Sequence, residues 1–91
     1  PFSVPINLEM NNINGKIQLT WNATIYPDID HYEIYWRPDY EPYFEFLGQS
    51  SQMSYLTNHS WQDADINIYI VEEALKNGAT TFFSEQSFYE E

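Results

Sequence analysis

The chain has 91 residues, no cysteine and a formal charge of −11, from 14 acidic and 3 basic side chains. That length makes one domain, and the charge leaves no basic footprint for nucleic acid or for an anionic membrane surface. Disulfides and thiol chemistry are excluded, and no apolar run approaches the roughly 20 residues that cross a bilayer.

The opening Pro1-Phe2-Ser3-Val4-Pro5 carries no signal-peptide pattern and no initiator Met, which reads as a fragment excised from a longer protein. A chain this short buries only about 60% of the surface its unfolded form exposes, so its core has to be efficient. Its 6 Phe, 8 Tyr and 3 Trp supply large buried areas per residue. The acidity itself suits a solvated surface, ahead of divalent cations or a basic partner as its reason.

In chain order, Val4, Ile6, Leu8 and Met10 alternate with polar neighbours and predict a half-buried first strand. Residues 11–15 read as a turn, because Asn14-Gly15 tolerates the positive φ of a tight hairpin. Ile17, Leu19 and Trp21 form the inward row of a second strand. Pro27, with Asp28 and Asp30 nearby, then breaks the pairing.

On the third strand Tyr32, Ile34 and Trp36 share one face, and Glu33, Tyr35 and Arg37 the other. A loop stiffened by Pro38 and Pro42 leads to a short aromatic strand over 43–47. A further strand over 53–56 precedes a polar connection over 57–63. Ile66, Ile68 and Ile70 mark a sixth strand whose pattern then stumbles, with Val71 out of phase and Glu72 in phase. Either the inward face switches through a bulge there, or Glu72 begins to leave the sheet. Lys76-Asn77-Gly78 predicts a hairpin turn, and residues 80–88 a seventh strand. Seven short strands separated by turns predict an all-β, antiparallel sandwich. Trp21, Tyr32, Ile34, Ile68 and Ile70 are its expected core.

These strands, in this order, resemble a fibronectin type III domain over essentially the whole chain. The resemblance rests on Leu19-Thr20-Trp21, on Ile29-Asp30-His31-Tyr32-Glu33-Ile34-Tyr35 and on Asn77-Gly78. Family domains place a core tryptophan where Trp21 stands and a core tyrosine where Tyr32 stands. They also carry a leucine followed six residues later by a tyrosine, which forms a buried corner. Here those positions are Trp61 and Asn67, so the tyrosine is missing: either Trp61 fills the corner in another way or the alignment slips by a residue or two. An RGD tripeptide is absent.

Residues 27–34 look like the microbial and phage-tail versions of the family. The resemblance implies a seven-stranded immunoglobulin-like sandwich serving as a non-catalytic spacer or interaction module of a larger extracellular, cell-surface or virion protein. Its implied partners are neighbouring domains and a protein or glycan ligand, with no cofactor, no nucleic acid and no membrane insertion.

Catalysis finds no support in the residues. Only His31 and His59 could act as a general base, and neither sits in a nucleophilic constellation. Asp28 with Asp30, and Asp63 with Asp65, offer hard oxygens for calcium, but no loop has EF-hand spacing, and aspartates at turns ordinarily serve local backbone bonds. Two N-glycosylation sequons occur, Asn22-Ala23-Thr24 and Asn58-His59-Ser60. Tyr35, Tyr40, Tyr43 and Phe44 fall on the outward side of the third strand or in the loop after it. Such rings stack on sugar C–H faces or anchor protein interfaces, or they simply cap an aromatic-rich core. For a ligand, Tyr35, Tyr40 and Tyr43 are the candidate contact residues.

Overall fold

A computed structural model of the chain describes residues 5–23 and 28–89, so Pro27 and the third residue of the Asn22 sequon lie outside it. Six strands are present: β1 (Ile6–Ile13), β2 (Lys16–Asn22), β3 (Ile29–Pro38), β4 (Glu45–Ser50), β5 (Ser54–Ser60) and β6 (Asn67–Leu75). They form two antiparallel three-stranded sheets, ordered β1-β2-β5 and β4-β3-β6. The β1–β2 hairpin closes on Asn14 and Gly15, both at positive φ (52° and 84°), as a two-residue turn of right-twisted strands requires.

The core is the apolar layer between the sheets. Ile17, Leu19 and Trp21 of β2 face Tyr32 and Ile34 of β3 and Tyr69 and Val71 of β6, and all are buried. The Trp21 indole meets the Tyr32 ring edge-on, with centroids 5.3 Å apart. Its Nε1–H is the one buried side-chain polar atom among the described residues that lacks a hydrogen-bond partner. At the crossing from β4 to β5 the Tyr55 ring lies directly against Gly48, where any Cβ would overlap its hydroxyl.

Two expectations about β6 are corrected. The strand runs unbroken to Leu75, with neither a bulge nor an exit at Val71 and Glu72. Its inward face is also the other one. Ile34 pairs with Val71 and Trp36 with Tyr69, whereas Tyr35 pairs with Ile70 and Arg37 with Ile68. Paired residues share a face, so Ile68 and Ile70 lie on the outer side and Tyr69, Val71 and Glu73 point into the core. Ile70 is nonetheless 7% exposed, because the outer side of this strand is covered too.

The expected seventh strand is the third correction: residues 80–88 form no strand, only an isolated bridge between Thr80 and Ala74. They dock along the outer edge of β6 as a strap. The backbone N–H groups of Thr81, Ser84 and Ser87 donate to the carbonyls of Glu73, Val71 and Tyr69, at 2.9, 2.8 and 2.9 Å. In return the N–H groups of Glu73, Val71 and Tyr69 donate to the hydroxyls of Thr81, Ser84 and Ser87, at 2.9, 3.0 and 2.9 Å. Each hydroxyl therefore stands where a ladder strand would present a carbonyl. Three strap residues match two of β6, so the strap advances only roughly 2.2 Å per residue, against about 3.3 Å in a strand.

The corner before β6 also departs from the expected polar connection over 57–63. β5 continues to Ser60, whose hydroxyl caps a single 3-10 turn, Trp61–Asp63. Asn67, 8% exposed, fills the position where the resemblance implies a tyrosine. Its Nδ2 donates to the Asp63 carbonyl at 3.0 Å, and its Oδ1 accepts from Trp36 Nε1 at 2.7 Å. One amide thus ties the turn to β3.

Candidate recognition surfaces

β3 ends at Pro38, and the chain reaches β4 through a connection pinned by backbone bonds from Asp39 N–H to the Ile66 carbonyl (2.8 Å) and from Glu41 N–H to the Pro38 carbonyl (3.1 Å). Arg37 braces it from the side. Its guanidinium donates to the Glu41 carbonyl at 2.8 Å and stacks over Phe44 at 5.1 Å. The result is a shallow open groove of about 430 Å³ lined by Trp36, Pro38, Tyr40, Glu41, Tyr43 and Glu45. Trp36 is fixed beneath it by Asn67 and by packing on His59, with ring centroids 4.8 Å apart. Tyr40 and Tyr43 are 74% and 82% exposed. Two free rings, a tryptophan floor and two carboxylates suit stacking on an apolar face together with hydrogen bonds to hydroxyl or amide donors.

Tyr35 is elsewhere. It is half-buried on the outer face of the β4-β3-β6 sheet, between the rings of Phe46 (5.6 Å) and Phe83 (5.1 Å), both met edge-to-face. Its hydroxyl lies 3.2 Å from Oε1 of Glu33 and 3.2 Å from Oε1 of Glu72. Burial, the Glu72 charge and the bond to Glu33 push this phenol up to about 12. Glu72 is itself raised above the usual carboxylate value by burial, with the Glu33 charge adding to it and the Tyr35 bond opposing it.

The structure therefore brings Tyr40 and Tyr43 into one groove and places Tyr35 on a separate surface with Phe46 and Phe83. Sequence reasoning missed the Trp36 floor because β3 alternation assigns Trp36 simply to the core side. It missed Phe83 because a strand reading of 80–88 gives no reason for that ring to reach β3.

The two histidines have structural partners. His31 spans Asp30 (Nδ1 to Oδ2, 2.8 Å) and Glu33 (Nε2 to Oε2, 3.0 Å), which raise it, Asp30 most. His59 is lowered by burial, and its Nδ1 accepts a 2.6 Å bond from the Tyr69 hydroxyl, whose own proton burial holds firmly. Asp28, Asp30, Asp63 and Asp65 are all exposed, and no group of three or more acidic or histidine side chains converges as a metal site among the described residues.

No family model matches the chain, and no curated protein matches it by sequence. Solved structures do match the fold. A structure of titin kinase and its flanking domains aligns with 94% of this chain at a TM-score of 0.75 and 14% identity, and a structure of titin domains with 96% at 0.79 and 16%. The chain spans only 16% and 30% of those two chains. An Fn3-like protein from Clostridium thermocellum aligns with 100% of this chain and 94% of its own length, at a TM-score of 0.69 and 16% identity. At such identities the likeness speaks for the fold alone: the chain is a fibronectin type III-like β-sandwich in which a hydroxyl-docked strap takes the place of the seventh strand.

Proposed function

We propose that the domain is a non-catalytic module of a larger protein, acting as a rigid spacer and interaction unit. The observation that carries this is the path of the chain. β1 begins at one pole, where Ile6 pairs with Asn22, and the strap leaves at the other, where Tyr89 packs on Trp61 and Trp61 N–H binds the Gly15 carbonyl. A unit threaded from pole to pole, 38 Å in its long dimension, sets a fixed separation between whatever precedes and follows it. The likeness to modules inside titin chains supports this reading. The Fn3-like Clostridium protein and the phrase over residues 27–34 support a microbial or phage-tail setting, outside the cell, at its surface or in a virion.

The test is to insert the chain between two fluorescent proteins and measure their separation by energy transfer. A single fixed distance, unchanged by Tyr40→Ala/Tyr43→Ala, is expected; a broad distribution of distances overturns the spacer reading. A second reading, recognition of a glycan or protein partner, is favoured by the exposed Tyr40 and Tyr43 above Trp36. A glycan array with the parent chain and the same double variant tests it: binding that the variant loses supports the groove.

A further inference from the structure

The outer face of the β4-β3-β6 sheet carries a continuous aromatic strip drawn from three segments. Phe46 of β4 and Phe83 of the strap flank Tyr35 of β3 and remain 57% and 44% exposed. On one side of the strip Glu33 and Glu72 stand directly opposite each other across the β3–β6 ladder. Like charges in that position repel, and the Tyr35 hydroxyl has one proton to offer two carboxylates. The only ion pairs among the described residues are those of His31, one of which reaches Glu33 and none Glu72. Of the three basic side chains, Arg37 is committed to backbone carbonyls and Phe44, Lys16 donates to the Asn58 carbonyl, and Lys76 stands exposed in the turn after β6. Counter-charge for this face is thus scarce within a chain of net charge −11.

On the other side of the strip, Arg37 over Phe44 shows what this face does with a guanidinium. The neighbouring stretch of this face offers more aromatic surface and two carboxylates. We infer that this face is a docking surface for a basic polypeptide partner, with an arginine side chain of that partner seated beside Tyr35, Phe46 and Phe83 against the part-exposed Glu33, with the buried Glu72 carboxylate behind it. A guanidinium is favoured over an ammonium because its plane stacks on rings while its edge forks onto carboxylates. A hard metal ion is disfavoured, since it would want six or more oxygens where two side chains supply them. The surface is distinct from the Tyr40–Tyr43 groove, and the inference does not rest on that groove.

The experiment is a nuclear magnetic resonance titration of the isotope-labelled chain with acetylated hexa-arginine, with hexa-lysine and hexa-citrulline as controls. The expected result is saturable amide shifts concentrated at Glu33, Tyr35, Phe46, Glu72 and Phe83, strongest with arginine and absent with citrulline. Phe46→Ala/Phe83→Ala, which leaves net charge unchanged and alters only exposed rings, should weaken hexa-arginine binding about tenfold. Glu33→Gln/Glu72→Gln should do the same, and Tyr40→Ala/Tyr43→Ala should change nothing. Shifts spread over the acidic surface and indifferent to the phenylalanine pair, or shifts centred on Tyr40 and Tyr43, would overturn the proposal.

Discussion

The two edges of β6 are held by different means. Toward β3 the strand pairs by an antiparallel ladder running from Asn67 to Leu75, regular except between Ala74 and Leu75, where β3 carries Asp30 as an extra residue. Toward the strap it is held at three points, each a carbonyl answered by a backbone N–H and an N–H answered by a serine or threonine hydroxyl. The ladder edge rests on backbone geometry, so its register is set by what the flanking side chains bury. The strap edge takes its register from three hydroxyls and turns Phe82, Phe83 and Phe88 outward. Backbone polar groups on the two edges are equally well satisfied, but only the strap edge can be dismantled by side-chain substitution.

The largest expected effect follows from removing all three hydroxyls. Thr81→Ala/Ser84→Ala/Ser87→Ala strips the acceptors from three N–H groups of β6. The strap should detach, with hydrogen exchange at Tyr69, Val71 and Glu73 accelerating while amides bonded to β3 stay protected. Equal acceleration on both edges would show that the edges are not separable. Ser84→Ala alone leaves the Val71 donor buried and unanswered, a cost of about 1–3 kcal/mol measurable by urea denaturation. Ser87, less buried, should cost less.

A third substitution tests the ladder edge, which has a weakness of its own in the facing Glu33 and Glu72. Because folding raises Glu72 above its ordinary value of 4.5, the stability this group contributes is complete below pH 4.5 and is lost as the pH rises through the raised value. Glu72→Gln should therefore raise the melting temperature by a few degrees at pH 7 and lose that advantage in acid. An advantage independent of pH would remove charge as the cause.

The smallest effect belongs to His31, on the exposed border of the same edge. Asp30 and Glu33 hold its imidazole above 6.5, so its contribution is complete below pH 6.5 and disappears as the pH rises through the raised value. The stability difference between the parent and His31→Gln should narrow across that interval. A difference that widened with pH would contradict the pairing.

How far these features were legible in the sequence depends on burial geometry. β2 and β3 alternate cleanly because one face of each is covered more completely than the other, so Trp21, Tyr32 and Ile34 could be placed in the core by inspection. β6 could not be read that way. It lies between β3 and the strap, its burial pattern is almost continuous, and both of its rows hold large apolar residues. Ile68 and Ile70 made as convincing a core row as Tyr69 and Val71, and only strand pairing tells them apart.

The Asn67 corner was legible as a missing tyrosine, but not as an amide doing the same tethering. The groove was half visible. Tyr40 and Tyr43 stand out in a proline-bounded loop, while their separation from Tyr35 depends on which side of β3 each emerges. The strap was hidden because Thr81, Ser84 and Ser87 recur every third residue, a period that belongs neither to strands nor to α-helices.

That spacing also bears on how the molecule could change. In a ladder, slipping by one residue exchanges the two faces of the strand. In the strap, slipping by one leaves at most one of the three N–H groups facing a hydroxyl, that of Thr80, and a slip of three restores two. Docking asks nothing of the side chains at Glu85 and Gln86, so randomising those two positions should return folded proteins far more often than randomising any two of β6. This margin of the domain is open to rapid sequence drift, and its surface chemistry can be rewritten while the sandwich beneath is kept.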